Sequence, residues 1–412
     1  IQLTSGSTSM PKGVVLSHGN VRAHLAALEQ AISYQRTTDR LVSWLPLYHD
    51  MGLVQLLSAI YYQSSIVLMT PFSFLRNPLS WLQCISMYGG TIAAAPTFAY
   101  SLCVKKFNPD KLADVRLSQW RLAFVGAEPV PWSIVDAFRH SYQPYGLSDS
   151  TLFPCYGMAE TVLATTLPQR GSFPNRRTGF LSCDRIDATL LRQQGHAVPA
   201  PAAQDTDVTP LEVLGMGQPI NGLEVCIQNG DGQILGERVV GEICVCGSSL
   251  MSSYFHDPEA TAQAVRNGWY HTGDCGYMAD GELYVLGRIK ELIIVRGRNY
   301  QPHDIEAVVE QHGAVRKSYC VAFSVYNDAI GTDDVVCVAE TNTDSDLFPG
   351  IIQEIQASLQ AACGFTAHAI VLVRHGTLPR TTSGKPQRLL AREWYREGKL
   401  TPSTDPVDAD RQ

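Results

Sequence analysis

The chain contains 412 residues, of which 45% are hydrophobic and 17% are charged. A chain of this length is too long for one small hydrophobic core, so we expect two or more domains. The composition excludes an intrinsically disordered protein. The net charge of −7 disfavours a general nucleic-acid-binding protein, because phosphate backbones are bound by clustered Lys and Arg. No run approaches the roughly 20 apolar residues of a membrane-spanning helix, so we expect no membrane span.

The amino terminus lies in an apolar run. Ile1–Leu3 reads as a strand, and neither an initiator Met nor a signal peptide precedes it. We therefore expect the amino-terminal domain to be incomplete at its start.

Apolar runs alternate with helical patterns over the first 156 residues. The apolar runs predict buried strands at Ile66–Met69, Ile92–Ala95 and Leu122–Val125. Helical spacing predicts helices around Val21, Leu25, Leu28 and Ile32, and around Leu79, Leu82 and Ile85. Alternation of strands and helices indicates a layered α/β domain.

The stretch Pro174–Pro210 interrupts this pattern. It is rich in proline and polar residues, and its single helical pattern lies at Asp187–Gln194. We predict a surface insertion that does not contribute to the hydrophobic core. Beyond it, Leu223–Gln228 and Glu242–Cys246 are predicted strands.

A smaller α+β module follows Gly287. Its predicted strands are Leu292–Val295, Tyr319–Val325, Val335–Ala339 and Ile370–Val373, and its predicted helices are Asp304–Gln311 and Ile351–Ala362. Residues 401–412 are rich in Pro and Asp and are predicted to be disordered. We therefore predict domains at 1–287, with the insertion at about 174–210, and at 288–400.

The eleven cysteines are scattered, and none forms a Cys-x-x-Cys pair. Their odd number and dispersal favour reduced thiols and a cytoplasmic protein. Cys244 and Cys246 share one face of a predicted strand, but the sequence alone gives no further ligands for a zinc site there.

A loop rich in hydroxyl groups and glycine follows the first strand. It contains Thr4, Ser5, Gly6, Ser7 and Thr8, and it ends in Pro11-Lys12-Gly13. Backbone N–H groups, hydroxyls and one Lys can surround a polyphosphate. The spacing of a Walker A loop is absent. A flexible linker is the alternative, which the preceding strand and the Pro-Lys-Gly ending disfavour.

This loop resembles the phosphate-binding signature of the adenylate-forming superfamily, which includes acyl-CoA synthetases, luciferases, nonribosomal adenylation domains and fatty acyl-AMP ligases. Further segments are similar to the family's motifs in the same order. They are Leu45–Gly52, Gly126–Pro129, Tyr156–Thr161, Gly241–Gly247, Tyr270–Asp274, Gly287–Lys290, Gly297–Asn299 and Pro379–Lys385. The resemblance implies a large layered α/β domain and a smaller, mobile α+β carboxy-terminal domain.

The resemblance also implies a role for individual residues, with ATP as the substrate and Mg²⁺ as the cofactor. The phosphates would be bound by Thr4, Ser5, Gly6, Ser7, Thr8 and Lys12, and the adenine would lie against Gly126, Ala127, Glu128, Tyr156 and Gly157. Asp274 and Arg288 would bind the ribose, while Glu160 and Thr8 would hold Mg²⁺. For a lone Tyr, Asp or Glu, a structural role is the commoner one.

Two residues would act in the reaction itself. His49 would lie at the wall between the acyl carboxylate and AMP. Lys385 would offset the negative charge that develops when a carboxylate attacks the α-phosphorus and pyrophosphate leaves. Because Lys385 is near the carboxy terminus, the small domain would have to swing about a hinge at Arg288–Lys290 to deliver it.

Three features resemble the fatty acyl-AMP ligase branch: the form of His49–Gly52, Ala159 in the Tyr-Gly motif, and the position of the insertion. Such ligases pass a fatty acid to the phosphopantetheine thiol of an acyl carrier protein, commonly for polyketide, nonribosomal peptide or lipid synthesis, and exclude coenzyme A. Ser9 departs from the family's usual Gly. The alternatives are an acyl-CoA synthetase, an amino-acid adenylation domain, for which Asp50 has a suitable position, and an inactive fragment.

Overall fold

The computed structural model describes residues 1–4, 11–169, 176–201, 208, 210–295, 297–327, 332–381, 384–400 and 402. Packing divides the chain into two compact units. The first comprises Ile1–Thr4 and Lys12–Leu286, and the second begins at Gly287. Most of the phosphate loop and all of the predicted disordered tail except Pro402 lie outside the described residues.

Each helix of the first unit follows a polar residue or a proline, which are residue types that suit a helix start. The helices are α1 (His18–Ala31), α2 (Asp50–Tyr62), α3 (Pro71–Arg76), α4 (Leu79–Tyr88), α5 (Thr97–Lys105), α6 (Trp132–Tyr142), α7 (Ala188–Gln194) and α8 (Pro258–Ala264). The helices predicted around Val21–Ile32 and Leu79–Ile85 are confirmed as α1 and α4.

The strands of the first unit are mostly short. They are β1 (Gln2–Leu3), β2 (Gly13–Val15), β3 (Leu41–Ser43), β4 (Ile66–Leu68), β5 (Ile92–Pro96), β6 (Leu122–Gly126), β7 (Leu152–Pro154), β8 (Tyr156–Gly157), β9 (Ala164–Leu167), β10 (Arg176–Thr178), β11 (Leu181–Asp187), β12 (Pro210–Leu214), β13 (Gln218–Pro219), β14 (Leu223–Gln228), β15 (Gly241–Gly247), β16 (Ser253–Tyr254), β17 (Val265–Arg266), β18 (Trp269–Ala279) and β19 (Glu282–Arg288). The division between the units falls within β19.

A parallel sheet with the order β4-β3-β5-β6-β7 forms the centre of the first unit. Its central strands read as continuous apolar runs because helices cover both faces of such a sheet. Val42, Ala93 and Ala123 are fully buried. The predicted strands β5 and β6 are confirmed. The predicted strand β4 also forms, but its prediction as buried is wrong, because β4 is an edge strand and Leu68 is 53% exposed.

A second sheet of the first unit has the order β14-β15-β18-β17, and β19 pairs with β18. The predicted strands at Leu223–Gln228 and Glu242–Cys246 are confirmed as β14 and β15. The remaining small sheets have the orders β1-β2-β16, β10-β11-β12 and β13-β9-β8. In the part of the chain that is described, no helix has both the length and the apolar character needed to cross a bilayer.

The region predicted as a surface insertion contributes to the hydrophobic core, so that part of the prediction is wrong. Strand β11 pairs with β12, and its Leu181 and Ile186 are fully buried. The overall polar composition hid a buried strand because polar residues can be buried when they are paired. Asp184, for example, accepts hydrogen bonds from Arg238 at 2.8 Å and from the Tyr277 hydroxyl at 2.9 Å. The predicted helix at Asp187–Gln194 is confirmed as α7.

The second unit is an α+β module. Its helices are α9 (Pro302–Val309), α10 (Phe348–Cys363) and α11 (Arg388–Arg396), and its strands are β20 (Ile293–Val295), β21 (Arg298–Tyr300), β22 (Val315–Asn327), β23 (Thr332–Thr341) and β24 (Ala369–Arg374). Strand β23 pairs antiparallel with β22 and parallel with β24. Both faces of this sheet are buried: Cys337 packs with Ile355 and Leu359 of α10, whereas Val338 packs in the cluster that contains Ala391 of α11.

A buried ion triad links three distant parts of the second unit. The Arg388 guanidinium at the start of α11 donates two hydrogen bonds to Glu306 of α9, at 2.6 and 2.7 Å, and one to Glu291 at 2.9 Å. Burial opposes the charge of Arg388, but the two carboxylates outweigh it and raise its pKa above the ordinary value. Removal of the cation would therefore leave two buried carboxylates without compensation.

Candidate active site

Tyr156 and Asp274 meet in the first unit although they are far apart in sequence. The Tyr156 hydroxyl donates a hydrogen bond of 2.7 Å to Oδ2 of Asp274. Both residues are largely buried, at 9% and 8% exposure. Tyr156 lies in β8 and Asp274 in β18, so strands from two different sheets bring an aromatic ring and a carboxylate into one place.

A bulge in β18 carries Asp274. The pairing of β15 with β18 shifts register after Glu242, so that Thr272, Gly273 and Asp274 stand out of the ladder. The Thr272 hydroxyl donates to the Ile243 carbonyl at 2.8 Å, and the Gly273 amide donates to Glu242 Oε1 at 3.0 Å. Gly273 has φ +71°, a conformation that favours glycine. Bulges of this kind redirect a side chain next to a site.

Glu160 and Lys12 meet at a third residue, Tyr254. The Tyr254 hydroxyl donates to Oε1 of Glu160 at 2.8 Å, and Lys12 Nζ lies 4.6 Å from the centre of the Tyr254 ring. The Tyr270 hydroxyl is 3.2 Å from that of Tyr254. Burial and then the charge of Glu160 raise the pKa of Tyr270 well above its usual value, so its hydroxyl stays protonated. The carboxylate and the two phenols thus form one buried cluster, and the half-buried Lys12 lies beside it.

The turn after β6 has little room for side chains. A Cβ on Gly126 would lie 2.5 Å from the carbonyl oxygen of Cys155, so backbone approaches backbone closely here. Ala127 has φ +65°, which is uncommon outside glycine. Glu128 Oε1 accepts a 2.6 Å hydrogen bond from the Phe98 amide at the start of α5. Glu128 is thereby used to cap a helix, in keeping with the unsatisfied amides of a helix start.

The segment after Tyr156 is equally tight. A Cβ on Gly157 would lie 1.8 Å from the Leu163 carbonyl oxygen. Val162, just beyond the short 3₁₀ turn Ala159–Thr161 that carries Glu160, has φ +75°. A β-branched residue in this conformation is a genuine outlier, and such strain clusters at functional sites.

His49 stands at the start of α2. Its Nδ1 accepts from the Met51 amide at 3.3 Å and lies 2.7 Å from Oδ1 of Asp50. The turn before α2 is close-packed, because a Cβ on Gly52 would meet the Pro46 carbonyl oxygen at 2.3 Å. His49 therefore has a helix-capping function in addition to any other role.

The two ends of the predicted phosphate-binding loop, Thr4 and Lys12, are hydrogen-bonded to each other. The Thr4 amide donates to the Lys12 carbonyl at 3.0 Å, and the Lys12 amide donates to the Thr4 hydroxyl at 2.9 Å. The proposed phosphate ligands Ser5, Gly6, Ser7 and Thr8 lie outside the described residues. These two hydrogen bonds hold the two ends of the loop together.

Arg288 and Lys385 belong to the second unit. Arg288 ends β19. Lys385 lies on a turn in which the Thr381 amide donates to the Lys385 carbonyl at 2.9 Å, and the Lys385 amide donates to the Thr381 hydroxyl at 3.0 Å. Arg380 supports this turn by donating to the Gly384 carbonyl at 2.5 Å.

Sequence reasoning missed residues that hold the expected ones in place. In the first unit these are Tyr254, which joins Lys12 to Glu160, and Glu242, which pins the bulge of Asp274. In the second unit Tyr319 lies between Arg316 and Arg380, whose guanidinium carbons are 3.8 and 4.0 Å from its ring centre. Only Glu242 lay within a recognised motif, and its spacing to Gly273 gave no sign of this contact.

Comparison with known proteins identifies the family and the fold of the chain. Residues 1–255 match the AMP-binding enzyme family, and residues 290–404 match the AMP domain of Disco-interacting protein 2-like proteins. The medium-chain-fatty-acid–[acyl-carrier-protein] ligase JamA of Moorena producens is 34% identical over 97% of this chain and 68% of its own length. A Caulobacter vibrioides protein provisionally named an acyl-CoA synthetase is 35% identical, over 97% of this chain and 68% of that protein.

A solved structure from work on the fatty acyl-adenylate ligases of E. coli and L. pneumophila superposes with a TM-score of 0.87 and 37% identity, over 97% of this chain and 70% of the solved one. This match confirms the predicted fold class, a layered α/β domain followed by an α+β domain. Because the family match extends over more than half of the sequence, the chain belongs to the AMP-binding enzymes.

Proposed function

We propose that this protein activates a fatty acid with ATP, forms an acyl-adenylate, and passes the acyl group to the phosphopantetheine thiol of an acyl carrier protein. The acid and the carrier protein are the partners named for the relative JamA. We further propose that it supplies polyketide, nonribosomal peptide or lipid synthesis, in the cytoplasm.

One observation carries the adenylation step: the hydrogen bond between Tyr156 and Asp274. An aromatic face suits a flat base, and a carboxylate can accept hydrogen bonds from both ribose hydroxyls. Tyr156 and Asp274, the side chains suited to the base and to the ribose, are therefore hydrogen-bonded to each other. Adenine would lie against the closely packed backbone near Tyr156, at Gly126, Ala127, Glu128 and Gly157. Arg288 is proposed to donate a hydrogen bond to the ribose, whose hydroxyls Asp274 would accept from.

The phosphates would be bound by the loop whose ends are joined by the hydrogen bonds between Thr4 and Lys12. Glu160 fits a Mg²⁺ ligand, since Mg²⁺ prefers oxygen donors and shares them with phosphate. Its buried carboxylate already accepts one hydrogen bond, from Tyr254, which orients it. Thr8 is proposed as a second ligand. Bound Mg²⁺ would neutralise charge on the phosphates.

In the chemical step, a carboxylate oxygen of the acid attacks the α-phosphorus of ATP, a new P–O bond forms, and the bond to pyrophosphate breaks. Lys385 is proposed to offset the charge that develops on the phosphate oxygens. His49 is proposed to orient the acid at the wall between the acyl and AMP positions. No proton has to be removed, because the acid reacts as its carboxylate.

Trapping with hydroxylamine tests the adenylation step. The full-length protein is incubated with ATP, Mg²⁺ and either medium-chain fatty acids or amino acids. We expect acyl-hydroxamate from fatty acids. Product from amino acids alone would favour the amino-acid adenylation alternative, and no product from either would favour the inactive fragment.

The acceptor is tested separately by adding coenzyme A or a phosphopantetheine-loaded carrier protein. We expect thioester on the carrier protein. Efficient formation of acyl-CoA would replace the ligase proposal by the acyl-CoA synthetase alternative. That alternative is the activity in the name of the Caulobacter vibrioides relative.

We propose that the segment 174–210 denies coenzyme A a productive complex. Shortening must spare β11, because Leu181 is fully buried; Leu181→Ala should cost about 2–5 kcal/mol of stability. Removal of residues 202–207, which include the polar run Gln204–Asp207, should leave adenylation within about threefold. Gain of acyl-CoA synthesis by that variant supports the proposal, and a shortened protein that still rejects coenzyme A contradicts it.

A further inference from the structure

A carboxylate, a thiol and an imidazole converge on the second sheet of the first unit. His271 Nδ1 lies 2.9 Å from Oε2 of Glu242 and 3.4 Å from Sγ of Cys244. The three candidate ligand atoms all lie within 4.8 Å of one another. Among the described residues, these three form the one group of His, Cys, Asp or Glu side chains whose ligand atoms are close enough to hold a metal ion.

The strand register explains why they converge. Cys244 of β15 is directly opposite His271 of β18, so their side chains point to the same face. Glu242 precedes Cys244 by two residues on the same strand, which also places it on that face. Cys226 of β14 is opposite Cys244 on the other side. Backbone pairing therefore fixes the positions of these groups.

The donor set suits a zinc-type ion. Zn²⁺ binds thiolate, imidazole and carboxylate with bonds of about 2.0–2.3 Å, which separates neighbouring ligand atoms by roughly 3.3–3.6 Å in a tetrahedral site. The observed 2.9 and 3.4 Å lie close to that spacing. Glu242 keeps 20% of its side chain exposed, whereas Cys244 is fully buried. An ion could thus enter from the carboxylate side and retain one water.

We propose that Glu242, Cys244 and His271 form a binding site for a zinc-type divalent ion. It is separate from the Mg²⁺ that Glu160 is proposed to hold, and it uses softer donors. The site would be anchored to the nucleotide-binding bulge, because Glu242 Oε1 already accepts from the Gly273 amide while Oε2 faces His271. The ion would join β15 and β18 next to the bulge that carries Asp274.

Proton balance follows from the ligand atoms. Cys244 loses its thiol proton and Nδ1 of His271 binds as an unprotonated nitrogen, so that one proton is released per ion when the imidazole is neutral. Arg266, 3.6 Å from Glu242 and half exposed, would turn away into solvent.

Cobalt(II) tests this site without reference to enzymatic activity. Metal-free protein is titrated with Co²⁺, and the near-ultraviolet band of a thiolate–cobalt bond is recorded. We expect one ion per chain, displacement by Zn²⁺, which binds such sites more tightly, and no displacement by millimolar Mg²⁺. Cys244→Ser should abolish the band, and His271→Gln should weaken binding about tenfold or more.

Cys246→Ser is the control, since Cys246 lies two residues further along the same strand, where it is half-buried and outside the group of three ligands. It should leave the band and the affinity unchanged. Circular dichroism shows whether each variant is folded. If Cys244→Ser is not folded, the weaker Co²⁺ binding expected of His271→Gln becomes the deciding measurement. The proposal is overturned if the parent protein shows no band with excess Co²⁺, or if the band survives in a folded Cys244→Ser protein.

Discussion

The two units hold their candidate site residues in different ways. In the first unit, Tyr156 and Asp274 are largely buried side chains on strands, fixed by a hydrogen bond between them and by a pinned bulge. In the second unit, Lys385 lies on a half-buried turn whose shape depends on Thr381 and Arg380. The first arrangement suits contacts that are present throughout binding and reaction. The second suits a charge that is delivered for one step.

The strongest way to test this difference is to remove the delivered charge. Lys385→Ala should lower kcat for acyl-adenylate formation about 10²–10³-fold, the usual effect of losing one donor to the transition state. Binding of ATP should change little. Pre-steady-state formation of acyl-hydroxamate and ATP binding by calorimetry measure the two effects.

Lys399→Ala is the control for that variant, because Lys399 is an exposed lysine of the same unit, paired only at the surface with Glu397. It should behave as the parent protein does. If Lys385→Ala retains adenylation within threefold, the residue has no role in the step.

Removal of a buried acceptor should have a smaller effect of another kind. Asp274→Ala should raise KM for ATP about 10–100-fold, because hydrogen bonds to a charged group contribute about 1.5–3 kcal/mol, with a smaller change in kcat. Tyr156→Phe removes only the hydroxyl that bonds to Asp274 and should raise KM about threefold to tenfold. An unchanged KM in Asp274→Ala would make Asp274 a turn residue and would remove the contrast between the units.

The smallest effect is expected at the support of the Lys385 turn. Tyr319→Leu removes the ring that Arg380 stacks on, an interaction of about 0.5–2 kcal/mol. We expect kcat to fall about twofold to tenfold while KM for ATP stays constant, since the proposed nucleotide-binding residues Tyr156 and Asp274 are untouched. A change in KM with constant kcat would show that Tyr319 does not act through the turn of Lys385.

Much of the fold followed from local patterns. The apolar runs at β5 and β6 and the helical spacing of α4 are strong because core packing fixes them. Strand β11 was missed as a core element because Ser182 and Asp184 are buried through side-chain partners, Glu282 and Arg238, which periodicity cannot reveal. Helix α11 was not predicted, although Ala391, Trp394 and Tyr395, which pack in one cluster, recur at helical spacing.

The site followed from motifs rather than from periodicity. Tyr156 and Asp274 were both predicted, but their mutual hydrogen bond depends on how two sheets are placed, and the sequence does not contain that information. The same holds for His271, which would complete the proposed ligand set beside Cys244. The register of β15 against β18 brings together residues that are far apart in sequence. Long-range pairing therefore marks the limit of what motifs predicted here.

The position of Arg388 sets a limit on how far this polypeptide can be shortened. Its partners Glu291 and Glu306 come from the beginning of the second unit, whereas Arg388 comes from the final helix. A premature stop codon before residue 388 would therefore do more than remove a terminal helix. It would remove the cation that compensates both carboxylates, and losing one partner of a buried ion pair typically costs about 3–5 kcal/mol, which is comparable with the whole stability of many domains. The last helix thus decides whether the residues translated before it can stay folded.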